Sequence, residues 1–259
     1  MLNSTYRSLL LCLCVLTSTQ SLAQVCSSPK GNYGFSLQGR QVDGQAYAAV
    51  GLAHLDKETF TLDLTASVGG TFSRKTIQGS LLRADCGLTL AGFGTDAGFV
   101  LKGQIADHGD EIFVTEIQAS NPLVASGVMR PVGLQRCNNK TIKGEYNYLS
   151  QGYESNPNED GDGMIPKGVT GVEIFDGKGC STYDETIKQG TVISAASGLL
   201  RYQVFENCTF GLIENGGTAF YGVIVRSGEG MSYLKMAPGS ARTGEYNRSG
   251  SSSKAQGCH

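Results

Sequence analysis

His54 and Asp56 stand two residues apart on an alternating apolar and polar stretch, which places an imidazole and a carboxylate on one face of a strand, the arrangement of an acid/base pair. Ile174 occupies the equivalent place in the internal repeat described below, so packing explains His54 equally well. His108, within Asp107-His108-Gly109-Asp110, reads as a turn residue. Asn158, Asp160 and Asp162, followed by Gly163, imitate the start of a calcium loop, with oxygen ligands at alternate positions and a glycine for the sharp turn. Val169 stands where such a loop needs a bidentate glutamate, and the alternative is a solvated acidic hairpin loop. Tyr33 and Tyr146 open equivalent strands, where they either line a ligand pocket or plug a barrel end. Gly-x-Ser-x-Gly, His-Glu-x-x-His and phosphate-cradling glycine patterns are missing, so no catalytic residue and no cofactor is assigned.

These residues sit on a duplicated framework. Lys30-Gly31-Asn32-Tyr33 with Gln38-Gly39 returns as Lys143-Gly144-Glu145-Tyr146 with Gln151-Gly152, an offset of 113 positions. Further on, Gly51 matches Gly171, Asp56 matches Asp176 and Gly70-Thr71 matches Gly190-Thr191 at an offset of 120. The change comes from an insertion that holds the acidic loop. A repeat of this length means two copies of one domain. What differs between the copies, His54 against Ile174 and the acidic loop, is where function is expected.

Residues 1–23 read as a signal peptide: Arg7, the apolar run Leu9 to Leu16, and the small-residue site Ser21-Leu22-Ala23. No later segment is apolar for long enough to span a membrane, so a secreted, extracellular protein is expected. The balance of 21 basic and 23 acidic residues gives a net charge of −2, and neither copy carries the positive excess that nucleic acid demands. Once Cys12 and Cys14 leave with the signal, six cysteines remain, an even number that suits an oxidising compartment. If both copies keep one internal bridge, Cys26 pairs with Cys86 and Cys137 with Cys208, leaving Cys180 for Cys258; the rival is a free or interchain thiol at Cys258. Sequons at Asn139, Asn207 and Asn247 make glycosylation conditional on the host, with Asn207, beside a cysteine, the least accessible.

Phe60, Leu62, Leu64, Ala66 and Val68 alternate strictly with polar residues, and glycines punctuate many similar short runs. No window shows a sustained helical period. The chain therefore reads as all-β, with two tandem small antiparallel barrels over 24–135 and 136–238 and a Gly/Ser-rich tail over 239–259; β-sandwiches are the alternative. A cysteine, Lys-Gly-x-Tyr-x-Phe, a Gly-x-Leu strand ending in an Asp turn and a second cysteine resemble a secreted tandem β-domain of bacteria and fungi, similar in pattern to calycin or allene-oxide-cyclase-like barrels. That resemblance implies the barrel and supplies no active site. Two functions follow as expectations: binding of a small apolar ligand or an extracellular surface partner, or cyclase/isomerase activity in which a barrel holds a flexible substrate in one reactive conformation.

Overall fold

A computed structural model describes residues 26–118, 123–155, 163–214 and 216–251. The first barrel is built from β1 (Gly31–Gln41), β2 (Ala46–Leu55), β3 (Thr59–Val68), β4 (Thr71–Ala84), β5 (Gly87–Gly92), β6 (Phe99–Ala106), β7 (Glu111–Gln118) and β8 (Leu123–Pro131). The second comprises β9 (Gly144–Ser155), β10 (Met164–Phe175), β11 (Cys180–Gln189), β12 (Val192–Val204), β13 (Thr209–Glu214), β14 (Gly217–Val225), β15 (Gly230–Lys235) and β16 (Ser240–Gly250). In each, every strand pairs antiparallel with its sequence neighbour, and the last returns to the first, β8 to β1 and β16 to β9. Closure satisfies the edge hydrogen bonds that an open sheet would leave unpaired.

Period-two patterning decides what faces inward. On β3, Phe60, Leu62 and Ala66 are buried in the first barrel with Phe35, Leu37, Leu90, Leu101, Ile112 and Met129, an apolar interior. Glu116 is buried there too and accepts a bond from the Tyr47 hydroxyl at 3.0 Å. The repeated glycine has a steric cause. A Cβ at Gly51 would lie 2.0 Å from the Asp63 carbonyl oxygen and 2.8 Å from the Phe35 ring, and one at Gly171 would lie 2.4 Å from the Asp184 oxygen and 2.7 Å from Tyr148. Each barrel thus lays an aromatic ring across a glycine. The repeated aspartates are turn residues: the Asp176 carboxylate accepts from the backbone N–H groups of Lys178, Gly179 and Cys180 at 2.7, 2.9 and 2.9 Å.

Disulfides join Cys26 to Cys86 and Cys137 to Cys208, one per barrel. Cys180 is also disulfide-bonded; Cys258 lies outside the described residues. The stretch read from sequence as a tail beginning at 239 is different in the structure, because Ser240 to Gly250 form β16 and close the second barrel. Its serines and glycines hid a strand whose inward residues include Arg242, Gly244 and Tyr246.

The barrels pack side by side through an apolar face. Ala46, Ala48 and Val50 on the outside of β2 join the cluster that contains Val223, Val225 and Leu234 of the second barrel. A Cβ at Gly34 would fall 2.5 Å from Val225, so glycine permits that approach. Polar bonds rim the contact: Ser67 donates to the Ser240 carbonyl at 2.6 Å, and Arg130 of β8 bonds Glu111 of β7 and Glu245 of β16 at 2.8 and 2.7 Å.

Candidate functional site

The second barrel does not repeat the first barrel's filling. Tyr33 pairs with Ala53 and Tyr146 with Glu173, so Glu173 takes the position of Ala53. Reading the registers onward, Tyr148 stands for Phe35, Tyr246 for Met129, Tyr233 for Val114, Glu185 for Leu64 and Arg242 for Ala125. The shared scaffold folds with apolar side chains at all six positions. Phenols, carboxyls and a guanidinium there are unfavourable to bury unless they are used.

These side chains border a cavity of about 70 Å³ in the second barrel, along with Leu200, Leu212 and Phe220. At 10–15 Å³ of such space per water, that is room for roughly five waters. It suits a small polar head rather than a whole ligand that fills several hundred Å³. Below it, Tyr146, Phe175 and Tyr202 pack edge to face and seal one end.

Glu173 is fully buried on β10. Its Oε1 accepts from the Ser181 hydroxyl and its Oε2 from the Tyr246 hydroxyl, both at 2.5 Å. Burial pushes its carboxyl up to about 7; the two hydroxyl bonds pull the other way, and the nearby Glu185 adds to the rise. Tyr246 lies over Tyr148 and Tyr233 at ring separations of 5.1 and 4.9 Å. Tyr148 donates to Glu185 at 2.6 Å. Burial drives the hydroxyls of Tyr148, Tyr233 and Tyr246 above the ordinary phenol value; neighbouring carboxylates reinforce this at Tyr148 and Tyr246, while at Tyr233 Arg242 and Ser150 oppose it, and all three stay protonated.

Arg242 enters the cavity from β16. It is 5% exposed, and its Nε and Nη1 have no hydrogen-bond partner among the described residues. Its remaining nitrogen lies 3.5 Å from Glu154, which also takes Lys167 at 2.6 Å. Lys235 sits 3.9 Å from Glu214. At this end three cations, Lys167, Lys235 and Arg242, meet Glu154 and Glu214, and two further carboxyl groups, Glu173 and Glu185, line the same cavity. Burial, then repulsion from Arg242, holds the Lys235 amine below its usual value, while Glu214 and Glu154 act in the other direction.

No protein-family model and no curated protein matches the chain. Among solved structures it is similar to kievitone hydratase from Nectria haematococca, at 8% identity over 91% of this chain and 94% of that one, with a TM-score of 0.27. It is also similar to intact Ap-TbpB (10% identity, 80% and 66% covered, TM-score 0.26) and to isotype 1 transferrin binding protein B from serogroup B Neisseria meningitidis (8%, 85% and 76%, 0.27). Likenesses at this level carry no argument about function, which has to come from the site.

The residues singled out from sequence lie elsewhere. Tyr33 and Tyr146 point into the barrels but at their closed ends, where they donate to the Gly109 and Gly228 carbonyl oxygens at 3.4 and 2.6 Å within matching 3-10 turns. His54 is exposed on the outside of β2 and bonds Asn32 at 2.8 Å. Ile174 likewise faces away from the cavity, so the informative difference between the copies is one residue earlier, Ala53 against Glu173. Asn158, Asp160 and Asp162 lie outside the described residues. Asn207 is exposed, contrary to the sequence expectation, because the disulfide beside it points inward while its amide braces Thr209; Asn139 is half-buried, with its side chain accepting from the Val204 N–H at 2.8 Å. Asn247 is exposed on β16. The signal that could have found the site was available: comparing the repeats on both faces of each strand shows apolar residues giving way to polar ones on the inward face.

Proposed function

We propose that the second barrel binds a small organic anion whose oxygen-bearing head enters the cavity and pairs with Arg242, while the first barrel serves as its buttress. The carrying observation is Arg242, a buried residue of the cavity lining whose Nε and Nη1 have no partner among the described residues, at a position that Ala125 takes in the first barrel. Such donors are costly to desolvate unless a ligand oxygen satisfies them. Lys235 lines the cavity beside Arg242, and Phe220, Leu200 and Leu212 supply apolar wall for the rest of the molecule. The ligand is therefore amphiphilic rather than simply apolar. Export to an oxidising compartment accords with a disulfide in each barrel.

Titration of the disulfide-intact protein with 2-oxobutyrate, followed by amide chemical shifts, tests the reading. Saturable shifts should concentrate on β9, β10, β15 and β16. Arg242→Met should weaken binding by about tenfold or more, the scale of a lost charge-assisted hydrogen bond. Absence of saturable shifts, or unchanged affinity in the folded Arg242→Met protein, would overturn it.

A further inference from the structure

We infer that the cleft between the two barrels is a second binding site, shaped for an acidic oligosaccharide. The site is separate from the cavity of the second barrel and does not depend on what that cavity holds.

Beside the contact made by the outer face of β2, the barrels leave a cleft of about 650 Å³, a size usual for ligand sites and far larger than the cavity. The repeated Gln-Gly dipeptides of the two copies come together in it, where the Gln38 side-chain amide donates to the Gln151 carbonyl oxygen at 3.0 Å. Strand register sets two rows of outward residues along its floor. Ser126 stands beside Gln38 on the first barrel, and Gln151, Gly168 and Lys188 stand side by side on the second. With strands about 4.8 Å apart, those three alone span about 10 Å.

Gly168 is the residue that points to a ligand. It lies within β10 and faces outward beside the buried Val169, and neither usual reason for a glycine applies to it. Its φ is outside the left-handed region, and a Cβ there would meet nothing within 4 Å. Gly39 and Gly152 differ, because backbone of β8 and β16 occupies the place of their Cβ atoms. A glycine inside a strand weakens it, and one that the protein's own packing does not require marks a close approach by another molecule. The first barrel supports this. Its equivalent residue, Ala48 opposite Gln38, is completely buried because the second barrel covers it, so this place on the sheet is a contact surface in the copy that has a neighbour.

The lining selects the partner. Its charged groups are Arg40, Lys167 and Lys188, with no carboxylate among the described lining residues. Glu154 holds Lys167 at 2.6 Å, whereas the exposed Arg40 and Lys188 have no ion pair among the described residues. Arg40 donates to the Gly44 carbonyl oxygen at 3.3 Å and lies 4.1 Å from the centre of the Tyr153 ring. An acidic ligand complements this charge. Glutamine amides and the Ser126 hydroxyl accept as well as donate, so they call for donors on the ligand too, which sugar hydroxyls supply and bare carboxylates do not. A peptide fits less well: both barrels are closed and leave no strand edge for β-addition, and Tyr153 and Pro166 are the lining's main apolar surface. A second copy docking as the barrels dock would need apolar cover like Val223 and Leu234, and the register puts Gln104 and Thr115 there in the first barrel.

Titration of the full disulfide-intact protein with tetragalacturonate, read by amide chemical shifts, tests the assignment. Saturable shifts should fall on residues 38–40, 151–153, 166–168 and 188–190, and affinity should decline as salt rises. The double variant Arg40→Gln, Lys188→Gln should bind about tenfold or more weaker. Gly168→Ala should melt no lower than wild type, since its methyl meets nothing and alanine suits a strand better, yet bind about fivefold or more weaker. Neutral maltotetraose and hexaglutamate should each bind about tenfold or more weaker than tetragalacturonate, a gap of about 1.4 kcal/mol. Absence of saturable shifts at these residues, or wild-type affinity in the folded Gly168→Ala protein, overturns the site. Equal binding of hexaglutamate would make the cleft a reader of acidic peptides, and equal binding of maltotetraose would remove the role of its cations. Shifts at the same residues on raising protein concentration without ligand would give the cleft to a second copy. Each of these three results overturns the assignment to an acidic oligosaccharide.

Discussion

At the scale of single residues, Glu173 makes a statement about stability. Burial raises its carboxyl from 4.5 to about 7 in the folded chain, so the native state prefers the protonated form while the unfolded chain ionises normally. Its favourable contribution is thus fully present below about pH 4.5 and is lost as pH rises through about 7. Glu173→Gln removes this dependence. The melting temperature of the variant relative to wild type should climb between pH 4 and pH 8, with a change in stability of up to about 3 kcal/mol at one pKa unit per 1.4 kcal/mol. A gap that stayed constant across that range would mean that Glu173 ionises as readily inside the barrel as in water. Arg242 poses the complementary case, a cation whose desolvation is only partly met by Glu154 at 3.5 Å. Saturating organic anion should therefore stabilise the wild type and leave Arg242→Met unmoved, because a ligand stabilises only a fold that binds it.

At the scale of the strand, the site depends on rings that cross glycines. Tyr148 lies over Gly171 on the neighbouring β10, and its hydroxyl reaches Glu185 on β11. Gly171→Ala drives a methyl toward the Asp184 carbonyl and the Tyr148 ring, so the ring or the strand has to shift. Thermal denaturation should show a loss of about 1–3 kcal/mol, typical of overpacking, and anion affinity should fall with it. A substitution tolerated without loss of either would show that the ring does not need the glycine. This arrangement also shows what could be read from sequence. Phe60 to Val68 announced β3 and its inward face, and Gly51 with Gly171 announced a shared constraint, because period two and glycine placement act locally. The site was not legible in that way. On β10 the inward residue is the charged Glu173, while Val172 and Ile174 turn outward, so alternation alone assigns no role to the glutamate. Arg242 and Tyr246 were hidden in a segment whose serines and glycines read as a tail, and only closure of β16 against β9 brings Tyr246 to Glu173 and Arg242 into the lining of the same cavity. Convergence across strands distant in sequence is a property of topology, and a linear pattern does not contain it.

At the scale of the whole molecule, duplication divides the work. The first barrel keeps an apolar filling and turns the outer face of β2 against β14 to β16. Those strands also form a wall of the cavity, with Phe220 on β14, Tyr233 and Lys235 on β15 and Arg242 and Tyr246 on β16. Support of the site is therefore a function of the barrel that lacks one. Arg130 ties the two together: it is largely buried between Glu111 of its own barrel and Glu245, whose strand carries Tyr246 on the opposite face. Burial disfavours its charge, and the bonds to Glu245 and Glu111 outweigh that penalty. Arg130→Leu leaves Glu245 without this partner and Glu111 with only the more distant Arg226, at 3.5 Å, among the described ion pairs. Breaking a partly buried pair in this way should lower stability by about 1–3 kcal/mol in chemical denaturation. Because β16 is held from outside by Glu245 and presents Arg242 and Tyr246 inside, anion affinity should drop in the same variant. A protein destabilised by that amount but binding with wild-type affinity would show that the second barrel holds its cavity open unaided, and that the first has a different reason to be there.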